Sequence, residues 1–127
     1  MITTHRLATL LAALPLIAYA EPVALQKDMS FVAARKLLLK ERWKPVNVHA
    51  LDDYALMGVE HELARRNFKE FDSCSIDYSN CVMRYKRGDE CLTVFTIGEK
   101  IKYMKVIQWS DECPPQQPPS VPPSAKK

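Results

Sequence analysis

Four cysteines, Cys74, Cys81, Cys91 and Cys113, constrain this chain of 127 residues more than any other feature. Their spacings do not reproduce the paired C-x2–4-C ligands of a structural zinc site, and there is no C-x-x-C redox pair or C-x-x-C-H haem motif. If the chain is exported, as its N-terminal segment indicates below, four cysteines are most simply two disulfides, with three possible connectivities. Local geometry favours Cys74–Cys81 across a tight turn and Cys91–Cys113 across a later hairpin. A catalytic or metal-bound cysteine is the alternative.

The N-terminal segment indicates that the chain is exported. Arg6 precedes an apolar run over residues 7–18, which is shorter than the about 20 residues that a membrane helix needs. Ala18-Tyr19-Ala20 then supplies the small-x-small pattern that signal peptidase recognises. We therefore predict that residues 1–20 are a signal peptide, that the mature chain begins at Glu21, and that the protein is periplasmic or secreted. A buried N-terminal helix is the alternative. No later run is long enough for a membrane helix.

Composition divides the mature chain into a body and a tail. Residues 21–113 carry fifteen Lys and Arg and fifteen Asp and Glu, interleaved as in LARRNFKEFD. Such mixed charge is typical of a solvated surface and not of a basic stripe that follows phosphates, so nucleic-acid binding is not expected. Residues 114–127 contain six prolines and no aromatic residue. They predict a disordered tail, which is either a spacer or docking ligand or has no role. A single domain over residues 21–113 remains.

Two helices are predicted before the first cysteine. In SFVAARKLLLKERW, Ser30 suits the N-cap, the apolar residues have helical spacing, and Pro45 favours an end near Trp43. A second helix is predicted within DDYALMGVEHELARRN, where Asn67 can close the end in a left-handed conformation. Its apolar stripe consists of Leu56, Val59 and Leu63.

After these helices the apolar period changes to two. The runs CVMRYK, CLTVFTI and YMKVIQW are rich in β-branched and aromatic residues and are separated by the turns RGDE and GEKI. A fourth, edge-like strand is expected in DSCSIDY. The pattern predicts an α+β fold, with two N-terminal helices packed on a three- to four-stranded antiparallel β-meander that two disulfides staple.

The segments AARKLLLKERWKPV, FKEFDSCSIDYSNCVMRYKRGDECLTVFTIGE and KVIQW resemble a group of small exported bacterial proteins of unknown function. In that group a helix leads into a Trp-x-Pro strand, and a cysteine pair leads into a strand that ends in Thr-x-Gly-Glu. The resemblance covers most of residues 30–110 and implies a fold and a compartment, but no activity. The Cys91–Cys113 pair and the proline-rich tail depart from the pattern of the group.

Catalytic motifs are weak in this sequence. HELAR resembles the H-E-x-x-H helix of zinc proteases, but Arg65 stands where the second histidine ligand would be, after His61. His49 with Asp52 and Asp53 offers proton transfer or cation binding, although adjacent aspartates before a helix are also ordinary capping residues. We predict no cofactor, no metal and no enzymatic activity. The alternative is a small envelope hydrolase or metal-dependent enzyme that uses His49, His61 and nearby carboxylates.

The function predicted from the sequence is therefore that of a non-catalytic, protein-binding module of the inhibitor, immunity or envelope-complex accessory type. Its expected partner is another periplasmic or envelope protein. Aromatic and arginine side chains dominate binding hot spots. The candidate contacts are Tyr78, Arg84, Tyr85, Arg87 and Tyr103. The same side chains would also suit an ordinary outer strand face.

Overall fold

The computed structural model describes residues 12–16 and 23–115, and most of its regular structure is β. The predicted cleavage site and the tail beyond Pro115 lie outside the described residues. The helices are α1 and α2, with one 3-10 turn before the last strand, and the strands are β1 to β5. Their bounds are α1 Phe31–Lys40, β1 Lys44–Pro45, α2 Glu60–Arg65, β2 Phe71–Cys74, β3 Asn80–Arg87, β4 Glu90–Ile97, the 3-10 turn Ile101–Tyr103 and β5 Lys105–Ser110.

The first predicted helix is confirmed. Ser30 is the N-cap of α1, and its hydroxyl oxygen accepts a hydrogen bond from the backbone N–H of Ala33 at 3.5 Å. One stripe of the helix is buried against the sheet, and it consists of Phe31, Ala34 and Leu38. Arg42 then takes a positive φ of 67°, which turns the chain so that Trp43 enters the core.

The second predicted helix is largely absent, so the prediction of two N-terminal helices on a three- to four-stranded meander is wrong. Only α2, of six residues, forms there, and residues 46–59 are turns and irregular backbone. Local side chains take over backbone N–H groups that a longer helix would have used. Asp52 accepts from the N–H of Tyr54 at 3.2 Å, and Glu60 accepts from the N–H of Met57 at 2.8 Å. Gly58, at a φ of +55°, also interrupts the helical backbone.

The sheet has five antiparallel strands in the order β1-β3-β4-β5, and β2 also pairs with β3. The two short strands β1 and β2 therefore share one side of β3. β1 lies opposite Tyr85 and Lys86, and β2 lies opposite Cys81, Val82 and Met83. Periodicity predicts one edge piece, in DSCSIDY, and cannot show β1, because two residues are too few for a period. β1 lies where the extended segment KPVNVHA and the Trp-x-Pro strand of the resemblance are expected.

The core lies between α1 and the sheet. Along β3 every second residue is buried, namely Cys81, Met83 and Tyr85. A buried carboxylate, Glu70, fastens the helix to this face, since its Oε1 accepts from Arg35 Nε at 2.6 Å and from the Tyr85 hydroxyl at 2.8 Å. Burial, the charge of Glu70 and this hydrogen bond raise the pKa of Tyr85 well above its ordinary value.

Both predicted disulfides are present. Cys74–Cys81 joins two residues that face each other across β2 and β3, and Cys91–Cys113 ties the segment after β5 to the start of β4. Two disulfides are characteristic of an oxidising, extracytoplasmic environment. Within residues 12–16 and 23–115, no helix is long and apolar enough to cross a bilayer.

Candidate functional site

A short loop at one end of the sheet carries two prominent apolar side chains. We call residues 75–79, between β2 and β3, the clamped loop, because the Cys74–Cys81 disulfide closes it. Ile76 is 68% exposed and Tyr78 is 74% exposed. Tyr78 is among the predicted contacts. The sequence prediction missed Ile76, whose signal is an apolar residue inside a loop too short to bury it.

Hydrogen bonds hold the clamped loop in one conformation. The N–H of Ser75 donates to the Asn80 carbonyl at 2.8 Å, and the N–H of Asn80 donates to the Ser75 hydroxyl at 3.2 Å. At the far side of the loop, the N–H of Gly98 donates to the Ser79 carbonyl at 3.1 Å. The loop is therefore fixed to its own hairpin and to the connection between β4 and β5.

Gly98 makes this second attachment possible. A Cβ atom at this position would lie 2.7 Å from the backbone Cα of Met104, a separation that carbon atoms do not adopt. Its φ of 142° is also one that residues with side chains rarely adopt. In the Thr-x-Gly-Glu stretch of the sequence, the backbone at Gly98 therefore passes very close to the backbone of Met104. We call this contact the crossing beneath the clamped loop.

Other apolar groups lie next to the clamped loop. A shallow cavity of about 230 Å³ is lined by Ile76, by Met57 and Val59 of the preceding segment, and by the side of Cys74. Met57 and Ile97 are both more than two-fifths exposed. Ile97 lies opposite Asn80 in the β3–β4 ladder, directly after the loop. Apolar contact area at this end of the molecule therefore extends beyond the loop itself.

Behind the loop, two side chains bind the outer backbone groups of β2. The ring Nε2 of His49 donates to the carbonyl of Asp72 at 2.6 Å, and Glu60 Oε2 accepts from the N–H of Cys74 at 3.0 Å. These are positions that a neighbouring strand would occupy. We call this arrangement the sealed edge.

Glu60 is fully buried, and its carboxylate accepts three hydrogen bonds from the protein. Besides the N–H groups of Cys74 and Met57, it accepts from the Tyr54 hydroxyl at 2.8 Å. Burial, together with this hydrogen bond and the charge of Glu60, raises the pKa of Tyr54 to about 12. A carboxylate whose oxygens already accept three hydrogen bonds is satisfied without a ligand.

His49 contacts acceptors through both of its ring nitrogens. Its Nδ1 lies 2.8 Å from Asp52 Oδ2, while Nε2 faces the Asp72 carbonyl. Because a carboxylate and a carbonyl can only accept, the doubly protonated imidazolium is the form that satisfies both. The ring also stacks on Tyr54 with 3.7 Å between the centroids.

The environment of His49 favours this charged form. Partial burial lowers the pKa of His49, but the hydrogen bonds to Asp52 and Asp72 and the charges of both carboxylates outweigh it, and the pKa is raised. The hydrogen bond from His49 in turn lowers the pKa of Asp52. His49 is therefore engaged in holding the backbone and offers no free nitrogen as a general base.

The remaining residues of the enzymatic alternative do not join His49. His61 is exposed on α2, and none of the hydrogen bonds or ring contacts of His49 involves it. Among the residues that the structure describes, no group of three or more His, Cys, Asp or Glu side chains could hold a metal ion.

The other predicted contacts are divided between core and surface. Tyr85 is 1% exposed, so the structure removes it from any contact surface. Arg84 is bound to Asp72 Oδ2 at 2.6 Å and to the Thr93 hydroxyl at 2.7 Å, and Arg87 is paired with Glu90 at 2.8 Å. Tyr103 is 61% exposed, beyond the end of β4.

No protein-family model, curated protein or solved structure matches this chain. The resemblance to small exported bacterial proteins stays a prediction. Function is therefore inferred from the residues of this chain.

Proposed function

We propose that this protein is a non-catalytic, periplasmic protein-binding module that contacts its partner through the clamped loop. The observation that carries the proposal is the exposure of Ile76 and Tyr78 on a loop that a disulfide closes. Exposed apolar groups next to one another mark interaction sites more often than scattered ones do.

The loop suits binding because it is already ordered. Binding normally costs conformational entropy when interface loops and side chains become fixed, and a pre-organised loop avoids part of that cost. Tyrosine is one of the side chains enriched in binding hot spots. Tyr78 is therefore the expected anchor, and Ile76 and Met57 are the expected surrounding contacts.

The shape favours a partner with a concave site. A narrow loop that projects from the end of a sheet presents little area on a flat surface but can enter a cleft. A protein that blocks its target needs such an entry into a cleft, so we favour the inhibitor and immunity types over an accessory subunit of an envelope complex.

The proposed compartment rests on two observations of different kinds. The sequence predicts a signal peptide over residues 1–20, and the folded domain holds four cysteines in two disulfides. Disulfides persist in the periplasm and outside the cell.

The test is a comparison of tagged, oxidised mature proteins captured from the envelope fraction of the source cells. The wild type should recover a partner in stoichiometric amount, and the double variant Ile76→Ser, Tyr78→Ser should not. Leu51→Ser is the matched control, because Leu51 is an exposed apolar residue that lies outside the loop. With the partner purified, we expect the Kd of the double variant to rise about 30-fold or more, as the loss of a hot spot does. Equal binding by the double variant and the wild type would disprove the proposal.

A further inference from the structure

A groove lies at the end of the sheet opposite the clamped loop. The strand β3, of eight residues, runs from one end to the other, a distance of roughly 23 Å at the usual rise of a strand. The groove has a volume of about 670 Å³ and is lined by both tryptophans, Trp43 and Trp109, and by the Cys91–Cys113 disulfide. We call it the tryptophan groove. Its charged lining residues are Arg87, Asp89, Glu90 and Asp111.

Arg87 shows what kind of group this groove holds. Its guanidinium lies over the ring of Trp43, 4.4 Å from the centroid. It also donates to Glu90 Oε2 at 2.8 Å and to the carbonyl of Glu41 at 3.1 Å. An indole face, a carboxylate and a carbonyl together fix one cation of the protein itself.

The groove also contains a second indole and two carboxylates that Arg87 does not contact. Trp109 is 39% exposed. Asp89 and Asp111 are exposed, and neither forms an ion pair with any residue in the described part of the chain. The lining has three carboxylates and one guanidinium, a formal charge of −2.

We propose that the tryptophan groove binds an arginine side chain of the partner protein. The guanidinium would lie on the face of Trp109 and pair with Asp89 and Asp111, as that of Arg87 lies on Trp43 and pairs with Glu90. Arginine fits better than lysine, because its planar group stacks on an indole and presents several donors at once. The negative lining disfavours anionic ligands. This inference rests on the proposed function, since it gives the partner protein a second point of contact.

The experiment uses the oxidised mature protein labelled with ¹⁵N and the peptide acetyl-Gly-Arg-Gly-Arg-Gly-amide. The chain has two tryptophans, so its spectrum contains two indole N–H signals, which Trp109→Phe assigns. We expect the Trp109 signal to shift saturably with the peptide, and the apparent Kd to rise with salt. The matched peptide contains citrulline, which has the shape of arginine without its charge, and should bind at least about tenfold more weakly.

Two variants locate the binding. Asp89→Asn with Asp111→Asn should reduce the affinity for the arginine peptide at least about tenfold, because both free carboxylates are lost. Asp77→Asn is the control, since Asp77 is an exposed carboxylate of the clamped loop. Equal binding of the citrulline peptide, undiminished binding by the double variant, or no shift of the Trp109 signal would overturn the inference.

The clamped-loop variant separates the two proposals. Ile76→Ser with Tyr78→Ser should bind the arginine peptide as the wild type does, because those residues lie at the other end of the sheet. If this variant still captures the partner while the peptide results hold, the clamped-loop proposal fails and the groove stands. If capture is lost but the peptide never binds, the groove proposal fails alone.

Discussion

The two ends of the sheet each carry a disulfide, but the two disulfides constrain different kinds of structure. Cys74 and Cys81 are direct partners in the β2–β3 ladder and are seven residues apart in sequence, so hydrogen bonds already hold them close. Cys91 and Cys113 are 22 residues apart, and Cys113 lies beyond the last strand. The first disulfide therefore makes a formed loop rigid, and the second positions a segment that no strand pairing fixes.

The surfaces at the two ends also differ, in shape and in polarity. The clamped loop presents two exposed apolar side chains, Ile76 and Tyr78, whereas the tryptophan groove is concave and negatively charged. Rigidity at the first end favours entry into a cleft, and the groove at the second end favours capture of a projecting cation. A partner that spans both ends would be recognised by two unlike chemistries.

Removing each disulfide should give the largest effects and test this comparison directly. By loop-closure entropy alone, Cys91→Ala with Cys113→Ala should lower the free energy of unfolding by about 3 kcal/mol, and Cys74→Ala with Cys81→Ala by about 2 kcal/mol. Alanine is used because Cys81 is buried and a serine hydroxyl there would add a desolvation cost. Urea unfolding of both variants measures the difference. The reverse order would mean that strand pairing alone does not hold the clamped loop.

The glycines at the two ends provide a sharper contrast. Gly98→Ala should lower the free energy of unfolding by about 2–3 kcal/mol, because its Cβ would collide with the backbone of Met104. Gly88→Ala is the matched control in the turn between β3 and β4. Gly88 also has a positive φ, of +58°, but its Cβ would meet nothing within 4 Å, so we expect about 1 kcal/mol. Equal losses in urea unfolding would show that the crossing beneath the clamped loop relaxes freely.

Because His49 belongs to the sealed edge, the free energy of unfolding should depend on pH. His49→Phe keeps a ring over Tyr54 but removes both donors, and should cost about 1 kcal/mol at pH 5.5, where the imidazolium donates to both the Asp72 carbonyl and Asp52. Because folding raises the pKa of His49, its contribution is complete below the pKa of the unfolded state and is lost as the pH rises through the folded-state pKa. The pKa of Asp52 is lowered, so its contribution is lost only as the pH falls through that lowered value.

The measurement for His49 is urea unfolding of wild type and variant between pH 5.5 and pH 9. The difference between the two proteins should shrink as the pH rises. His61→Phe is the control, since His61 is exposed on α2 and should give a small, constant difference. A difference for His49→Phe that does not vary with pH would show that the imidazolium is not the bound form.

Deleting residues 114–127 should have the smallest effect. Pro114 and Pro115 are exposed, and the deletion leaves Cys113 in place. We expect the free energy of unfolding to change by less than about 0.5 kcal/mol. A larger loss in urea unfolding would show that the proline-rich segment packs on the groove end.

Local sequence signals predicted the parts of the fold that local interactions determine. The Ser30 cap and the apolar stripe of α1, the RGDE turn between β3 and β4, and both disulfides are confirmed. The left-handed Asn67, at a φ of 60°, also ends α2 as predicted.

Tertiary interactions decide the parts that the sequence did not predict. The stripe of Leu56, Val59 and Leu63 has helical spacing, but buried Glu60 binds backbone groups from β2 and from residue 57, and most of the helix is lost. The burial of Tyr85 could have been predicted, because it follows Cys81 and Met83 at a period of two and so belongs to the buried face of β3. The tryptophan groove had none, since Trp43 and Trp109 are brought together only by the finished sheet.

The sealed edge has a consequence for how the protein behaves at high concentration. A strand with free N–H and C=O groups on one side recruits a second chain, and such pairing leads to aggregation. In β2, the side chain of His49 binds the outer carbonyl of Asp72, and Glu60, the first residue of α2, binds the outer N–H of Cys74. His49→Phe, which leaves the Asp72 carbonyl without its donor, should therefore promote oligomers before it promotes unfolding, and light scattering should detect them while the disulfides stay intact.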